Sequence, residues 1–546
     1  MTSLHDFAFS ASSGYIQSVV FVDDEIYVAD TGKANSEVKL TSGMKIFGGK
    51  KEEQSAPKSS PEISDTPTFH PKQLVESFAR HRVVCALYEP PKGFHADPES
   101  EIFKLCERAD IAILDWDLYN EDGRNILPLI ANLVNQSQST VPHHVRLCAV
   151  YSTKPDLFRI CSTILEELEK SGLKVEAMEK NSLLAGSSRI VVLGKPSAAR
   201  AADQVMLAEV KEVDLAERVI REFALMHQGI LPSLALHGMA SVRNNAKKIL
   251  DKFSADLDGA FLVHRALIHP SDDAFEQIPE LLAEEALSVM VDNEVPPATT
   301  KSLSEELIDS KNIQLGWKAK EGRPVAQPGQ IAVALLKGGQ AAVKQDFRAD
   351  KQKGWVNDLH VAMAGSAVAT EMRLASLYSV RTKYSQRRDL SFGTIVRRKD
   401  AEGDNYTYMA CLMPLCDCVR LKKDVGYNFP FWVLATSNSG ASARGIVVQI
   451  PGTNEYLELF VLGKPRDRFV IRTFNAGSRG TVEAVESDNI FVFQEKDGTT
   501  ESEKSRPYEW VAQLKPSHAQ RIAHDVGSSF SRVGLIEAEW LRQKSE

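Results

Sequence analysis

Short runs of apolar residues alternate with amphipathic segments over the first two hundred positions of the chain. Ile111–Leu114 is one such run, and its length is typical of a buried strand. Further strands are predicted at Val19–Val22, Arg82–Tyr88, Val145–Tyr151 and Ile190–Leu193. Strands that alternate with helices favour a parallel sheet with helices on both faces, so the first two hundred residues are predicted to form the α/β domain of a multidomain chain.

The segments between these strands carry apolar residues at helical spacing, as Leu127, Ile130 and Leu133 illustrate. The predicted helices are Pro71–His81, Glu99–Ala109, Asn125–Asn135 and Pro155–Ser171.

Two segments interrupt the alternation. Thr31–Thr68 separates the first strand from the first helix, and the composition of its polar part from Lys50 to Pro67 predicts a disordered loop. This insertion is either a tolerated surface loop or a lid or docking loop beside the residues that follow the first strand. Leu173–Gly186 adds a predicted strand at Lys174–Met178 before the last strand of the sheet.

Polar residues follow four of the strands at the point where each strand ends. Asp115 closes one strand, Asp23 and Asp24 follow another, and Ser152 and Lys195 follow the other two. Parallel strands bring such ends to one edge of the sheet, where ligands of these folds bind. Crowded carboxylates repel one another and favour a hard cation such as Mg²⁺, while a lysine and a hydroxyl suit phosphoryl oxygens. For Asp115 alone, the alternative is a carboxylate that caps a turn.

This ordered set of strand ends resembles the receiver domain of two-component response regulators, which has a flavodoxin-like fold. The resemblance covers about the first two hundred residues and includes the spacing from Asp115 to Gly123. It implies that Asp115 accepts a phosphoryl group from a sensor histidine kinase. It also implies that Mg²⁺ binds to Asp23, Asp24 and Asp115 and to the backbone carbonyl of Asp117.

Ser152 matches the Ser/Thr switch position of the family, and Lys195 with the proline after it matches the family's Lys-Pro pair. Two positions depart from the family pattern. Tyr119 stands where proline is usual, and Val192 stands where an aromatic residue is usual. In the family that aromatic ring turns inward when the hydroxyl engages phosphate, so Val192 argues against this mode of signal relay.

From about residue 199 the pattern changes to helices, which predicts a helical bundle or a dimerising stalk. His237 lies there on a helix with mixed faces. A phosphotransfer histidine is one interpretation, but an ordinary helix histidine is favoured because no kinase ATP-binding motif accompanies it. The predicted helices are Val205–His227, Leu231–Phe253, Asp256–His269, Asp272–Val291, Ser304–Ile313, Ala332–Asp346 and Asp358–Ser385.

The last part of the chain turns to short β-like runs separated by Gly, Asn and Asp, which predicts a small β-barrel or sandwich. A closing helix is predicted from His518 to about Phe530. Cys411, Cys416 and Cys418 lie close together, but a zinc site requires four ligands and no second cysteine pair exists in the sequence.

Composition sets outer limits on this organisation. A chain of 546 residues is long enough for several domains, and the predicted divisions are 1–198, 199–388 and 389–546. The net charge of −8 argues against nucleic acid as a default partner. No apolar run approaches a membrane span, the first residues do not resemble a signal peptide, and the seven scattered cysteines indicate reduced thiols. A cytoplasmic protein is therefore expected.

Three classes of function remain open. The leading hypothesis is a response-regulator-like signalling protein, a homodimer through the helical region, in which phosphorylation of Asp115 controls a C-terminal output. The same chemistry would also suit a phosphate sink, similar to accessory receivers of antiphage two-component systems. The second class is an effector enzyme in the C-terminal part, but no nucleophile-elbow, metalloprotease or nucleotide-binding motif occurs there, so a phosphoacceptor is favoured over an enzyme.

The third class is a binding module in which the β-rich part grips a protein or a nucleic acid. Arg466, Arg468, Arg472 and Arg479 are compatible with such a surface, although a solvated face is the commoner explanation.

Overall fold

The computed structural model describes residues 3–26, 70–140, 145–197, 199–268, 273–311, 313, 328–339, 355–364, 368–400, 405–436, 445–488, 490–496 and 507–530. The chain divides into two compact units, residues 1–310 and 311–546, which are described separately. The predicted insertion at 31–68 lies outside the described residues. Within the described part of the chain, no helix is both long and apolar enough to cross a membrane.

The first unit is organised around a seven-stranded sheet in the order β2-β1-β3-β4-β7-β6-β5. The five strands from β2 to β7 in this order pair in parallel, and β6 and β5 extend the edge as an antiparallel hairpin. The predicted flavodoxin-like fold, a parallel sheet with helices on both faces, is confirmed, and the added segment 173–186 forms two strands rather than one. The strands are β1 Ser18–Val22, β2 Val84–Tyr88, β3 Ile111–Asp115, β4 Arg146–Ser152, β5 Glu176–Glu179, β6 Ser182–Ala185 and β7 Ser188–Gly194.

Helices of the first unit begin at residues suited to that position. Side-chain oxygens of Ser3, Ser100 and Asp156 accept backbone N–H groups at the starts of three helices, and Pro71 opens a fourth. The helices are α1 Leu4–Tyr15, α2 Pro71–Arg80, α3 Glu101–Arg108, α4 Ile126–Asn135, α5 Leu157–Lys170, α6 Ala202–Ala208, α7 Glu212–Leu225, α8 Ile230–Asp251, α9 Asp258–Leu267, α10 Asp273–Glu276, α11 Ile278–Asp292 and α12 Pro297–Asp309.

Alternate residues of the central strands enter two different cores. Ala112 and Leu114 of β3 pack with α3, α4 and α5, whereas Ile111 and Ile113 pack with α1, α2 and α7. Helices cover both faces of the sheet, which is why these strands are apolar without interruption. The C-terminal ends of the strands are consequently the part of the sheet at which polar side chains converge.

The helix predicted at Val205–His227 is two helices, α6 and α7. The break occurs because the chain pairs briefly with the end of β7, where the N–H of Val210 donates to the carbonyl of Gly194 at 2.9 Å. Leu215, Val219 and Phe223 of α7 belong to the core beneath the sheet. The predicted division at residue 198 stays a prediction, but a helix beyond it covers one face of the sheet.

The remaining helices of the first unit extend from this layer. α8 packs against α1 and α11, and α12 contacts α1. Several large apolar side chains of α9 and α11 are exposed, including Leu262, Val263, Leu267 and Leu281. This is the region in which a homodimer is predicted.

The second unit contains a seven-stranded antiparallel sheet in the order β13-β10-β9-β8-β16-β15-β14 and a separate pair, β11-β12. A bridge between Phe474 and Glu495 links edge strand β13 to the residues after β15, so the larger sheet curls back toward itself. The strands are β8 Thr394–Lys399, β9 Tyr406–Cys411, β10 Gly426–Val433, β11 Gly445–Gln449, β12 Tyr456–Phe460, β13 Phe469–Asn475, β14 Val485–Ser487, β15 Ile490–Phe493 and β16 Tyr508–Gln513.

Helices accompany these strands in the described part of the second unit. The closing helix α17 contributes Ala519, Ile522 and Val526 to a core on one face of the larger sheet, and Phe429, Phe431 and Phe474 fill the other face. The helices are α13 Pro328–Gly338, α14 Trp355–Ala364, α15 Val368–Ser379, α16 Pro465–Arg468 and α17 Pro516–Phe530.

Candidate functional site

Three side chains meet at the C-terminal edge of the parallel sheet. The ammonium of Lys195 lies 2.9 Å from Oδ1 of Asp115 and 2.8 Å from Oδ2 of Asp23. Side chains alternate along a strand, and all three residues occupy positions in phase with the core that faces α1, α2 and α7. The fold therefore delivers two carboxylates and one ammonium from three strands to the same place.

Burial makes the electrostatics of this cluster strong. Asp23, Asp115 and Lys195 are 0%, 6% and 8% exposed. Burial raises the pKa of Asp115 to about 6, opposed by the positive charge of Lys195 and assisted by repulsion from Asp23. Burial alone would lower the pKa of Lys195, but the carboxylates of Asp115 and Asp23 outweigh it and raise that pKa above its ordinary value. Lys195 is charged at neutral pH.

Asp24 is turned toward the loop that follows β3. Its Oδ2 accepts the N–H of Tyr119 at 2.8 Å. Tyr119, the residue found in place of proline, has φ of 55°, and its hydroxyl donates to the carbonyl of Pro90. The departure from the family pattern therefore gives this loop a side-chain anchor that proline would lack.

The same loop closes at Gly123, whose N–H donates to the carbonyl of Trp116 at 2.9 Å. Gly123 has φ of +81°, and a Cβ there would lie 2.3 Å from the ring of Trp116. Both the backbone conformation and the close approach require glycine at this position.

Asp117 is held by a lysine that the sequence did not suggest. Lys154, two residues after Ser152, places its ammonium 2.9 Å from Oδ2 of Asp117 and 3.5 Å from Oδ1 of Asp122. The N–H of Asp117 donates to Oδ2 of Asp115 at 3.1 Å. The negative charge of Asp117 beside Asp115 is thus partly compensated by a side chain from the neighbouring loop.

Ser152 ends β4, one strand away from Asp115. The residue before it, Tyr151, is the register partner of Asp115, and Ser152 is fully buried. Its Oγ accepts the N–H of Lys154 at 3.1 Å, and its carbonyl accepts the N–H of Lys195 at 2.8 Å. Ser152 is therefore adjacent to the cluster, and it accepts backbone N–H groups from the loop after β4 and from the loop after β7.

The carboxylates of Asp23, Asp24 and Asp115 are of the donor type that Mg²⁺ prefers. Among the described residues, no three or more His, Cys, Asp or Glu side chains are grouped as metal ligands. The reason is local, because Lys195 lies between Asp23 and Asp115 while Asp24 bonds to Tyr119. The ammonium of Lys195 occupies the place between the two carboxylates where a cation would bind. The residues therefore fit a hard cation once Lys195 releases part of its contacts.

Two further candidates from the sequence, His237 and the cysteines near residue 411, do not belong to this cluster. His237 is half-buried on α8, with Nε2 2.8 Å from the carbonyl of Asn293 and its ring near Phe7. Cys411 is buried in the second unit, and Cys418 bonds through Sγ to the carbonyl of Pro414 at 3.2 Å. The contacts of His237 and Cys418 and the burial of Cys411 identify all three residues as parts of packed structure.

Comparison with known families supports the assignment made from the strand ends. Residues 15–200 match the family described as the response receiver domain. Neither the curated proteins nor the solved structures that were compared with the chain match it significantly. Receiver domains are generally phosphoacceptors rather than catalysts, and they generally bind Mg²⁺ at the phosphorylation site.

Proposed function

We propose, from the premise that residues 15–200 are a response receiver domain, that Asp115 accepts a phosphoryl group from a partner histidine kinase. The observation that carries the proposal is the contact of Asp115 with Lys195, together with Asp23 from a third strand. A buried carboxylate with its pKa raised to about 6 is still mostly ionised at neutral pH, so it can act as a nucleophile.

In the proposed reaction a carboxylate oxygen of Asp115 forms a bond to phosphorus as the phosphorus–nitrogen bond of a phosphohistidine breaks. The electron pair of that bond stays on the imidazole, which takes a proton from solvent. Asp23, Asp24 and Asp115, with the backbone carbonyl of Asp117, would hold Mg²⁺, which supplies positive charge against the phosphoryl oxygens.

The residues of the chain have separate tasks in this proposal. Lys195 leaves its contact with Asp115 and binds a phosphoryl oxygen as a point charge. Ser152 offers a hydroxyl to another oxygen. The N–H of Asp117, which already donates to Oδ2 of Asp115, keeps the acceptor carboxylate oriented.

The consequence of phosphorylation is a controlled C-terminal output or absorption of phosphate without output. Val192, fully buried within the α3–α5 side of the sheet, has no aromatic ring to rotate. Without that ring the aromatic relay of the family is not available, which favours a phosphate sink over a signal passed through Val192, in line with the resemblance to accessory receivers of antiphage systems. Limited proteolysis with and without beryllofluoride separates the two roles, because only a relay alters cleavage outside residues 15–200.

The primary test is a Phos-tag gel of the full chain incubated with acetyl phosphate and Mg²⁺. Wild type should give a shifted band, and Asp115→Asn should give none. Asp122→Asn is the matched control, because Asp122 lies in the same loop but its side chain is 74% exposed. Equal shifts in wild type and Asp115→Asn would refute the proposal.

A further inference from the structure

Arg200 joins the loops that follow β4 and β7. Its side chain is fully buried. Nη1 donates to the carbonyl of Lys195 at 2.6 Å and to Oε2 of Glu209 at 2.5 Å. Nη2 donates to the carbonyls of Ser152 at 3.2 Å and Lys154 at 2.9 Å. One planar guanidinium therefore binds both loops beside Asp115 and also Glu209, the residue that follows α6.

The position of this guanidinium depends on Gly194. A Cβ at Gly194 would lie 2.4 Å from Nη1 and 2.5 Å from Cζ of Arg200. Gly194 is not in the left-handed region of backbone conformation, so the close approach alone requires glycine there. Adding one methyl group at Gly194 would therefore displace the guanidinium without removing any charge.

Two more hydrogen bonds join the connection between α6 and α7 to strands β7 and β4. The N–H of Val210 donates to the carbonyl of Gly194 at 2.9 Å, and the hydroxyl of Tyr151 donates to the carbonyl of Val210 at 2.8 Å. The ammonium of Lys195 lies 5.7 Å from the centre of the Tyr151 ring. Tyr151 therefore connects the ammonium of Lys195 with the residues that lead into α7.

We propose that Arg200 is the positioning residue that transmits the state of Asp115 to α6 and α7, replacing the aromatic relay that Val192 cannot provide. The inference rests on the proposed function, since it concerns the response of the fold to phosphorylation. A phosphoryl group on Asp115 draws the side chains of Ser152 and Lys195 toward its oxygens. The backbones of both residues are bonded to Arg200.

The rigidity of the guanidinium makes it suitable for this task. Its donors lie in one plane at fixed spacing, so the two loop carbonyls cannot move independently while both bonds persist. The loops move together, and Glu209, bonded to the same Nη1, moves with them. α7 packs against α1 and α2, so the displacement reaches the helical layer of the first unit.

The test measures hydrogen–deuterium exchange of the full-length protein with and without acetyl phosphate and Mg²⁺. Intact mass reports the extent of phosphorylation in the same samples. Wild type should change its exchange both in the loop after Asp115 and over residues 202–225. Arg200→Lys keeps the charge but loses the fork of donors. It should be phosphorylated to the same extent, keep the change in the loop and lose the change over residues 202–225.

Gly194→Ala should repeat this loss, because it displaces the guanidinium with Arg200 intact. Gly259→Ala is its control, since Gly259 lies in α9 with open space around a Cβ. The inference is overturned if either Arg200→Lys or Gly194→Ala is phosphorylated and retains the full change over residues 202–225. Wild type that is folded but unphosphorylated overturns the proposed function and, with it, the relay.

Discussion

Replacing Lys195 by methionine tests the charge balance of the Asp115 site. Methionine keeps most of the apolar stem and removes the ammonium, leaving Asp23 and Asp115 buried beside each other. Removing one partner of a buried ion pair costs about 3–5 kcal/mol, because the remaining charge is uncompensated. For a domain of this size the unfolding temperature should fall by roughly 10 °C. Lys154→Met is the matched control and should cost at most about 1 kcal/mol, because its side chain is 35% exposed.

The loss of stability in Lys195→Met should depend on pH and on Mg²⁺. Without Lys195, burial and repulsion raise the pKa of Asp115 further, so the folded state binds more protons than the unfolded state. Stability relative to wild type should therefore recover as pH falls from 8 toward 5. Mg²⁺ should also restore stability, because a cation that binds only the folded protein stabilises the folded state by mass action.

Differential scanning calorimetry of the full chain measures these effects. The relevant transition is the one that Mg²⁺ shifts in wild type. Equal destabilisation by Lys195→Met and Lys154→Met would show that Lys195 does not compensate buried charge, and so would a loss of stability that neither low pH nor Mg²⁺ reduces.

Three further predictions concern the same site. Mg²⁺ affinity measured by titration calorimetry should fall on the order of tenfold per pH unit below pH 6. The reason is that Asp115, with its pKa raised to about 6, must lose a proton to bind the ion. An affinity that does not change with pH would contradict this prediction. Asp24→Ala should abolish Mg²⁺-dependent quenching of Trp116 fluorescence, and unchanged quenching would make the acidic pair purely structural. Gly123→Ala should lower the free energy of unfolding by about 3 kcal/mol, because backbone strain and a clash with the ring of Trp116 add. Gly93→Ala, at a position with φ of +75° and open space, should lower it by only about 1–2 kcal/mol. Equal losses in a denaturant titration would contradict the clash.

The sequence predicts those parts of the fold in which apolar residues recur in a regular pattern. Apolar runs that alternate with helices predicted a parallel sheet whose strand ends share one edge, and the structure brings Asp23, Asp115 and Lys195 together there. Helix α1 was missed because its second half, Ser-Ala-Ser-Ser-Gly, has weak helix propensity and is helical only through packing on α7 and α8. The pattern of α7 was recognised, but amphipathicity does not reveal which surface a helix covers.

The contacts that sequence reasoning missed are made by residues in loops. Lys154 pairs with Asp117, and Arg200 binds carbonyls of two loops. Neither position belongs to a periodic pattern, and backbone carbonyls leave no trace in the residue types around them. The nearest signal in the sequence is Gly194, because a glycine at the end of a strand often marks a bulge or the close approach of another group.

Chemical trapping identifies the residue that carries the phosphoryl group, which we propose to be Asp115. The full-length protein is incubated with acetyl phosphate and Mg²⁺, and the acyl phosphate is reduced with borohydride, which converts the modified aspartate to homoserine. Peptide mass spectrometry should find the conversion at Asp115. Conversion at another aspartate, or at none in a protein shown to be folded, would contradict the account.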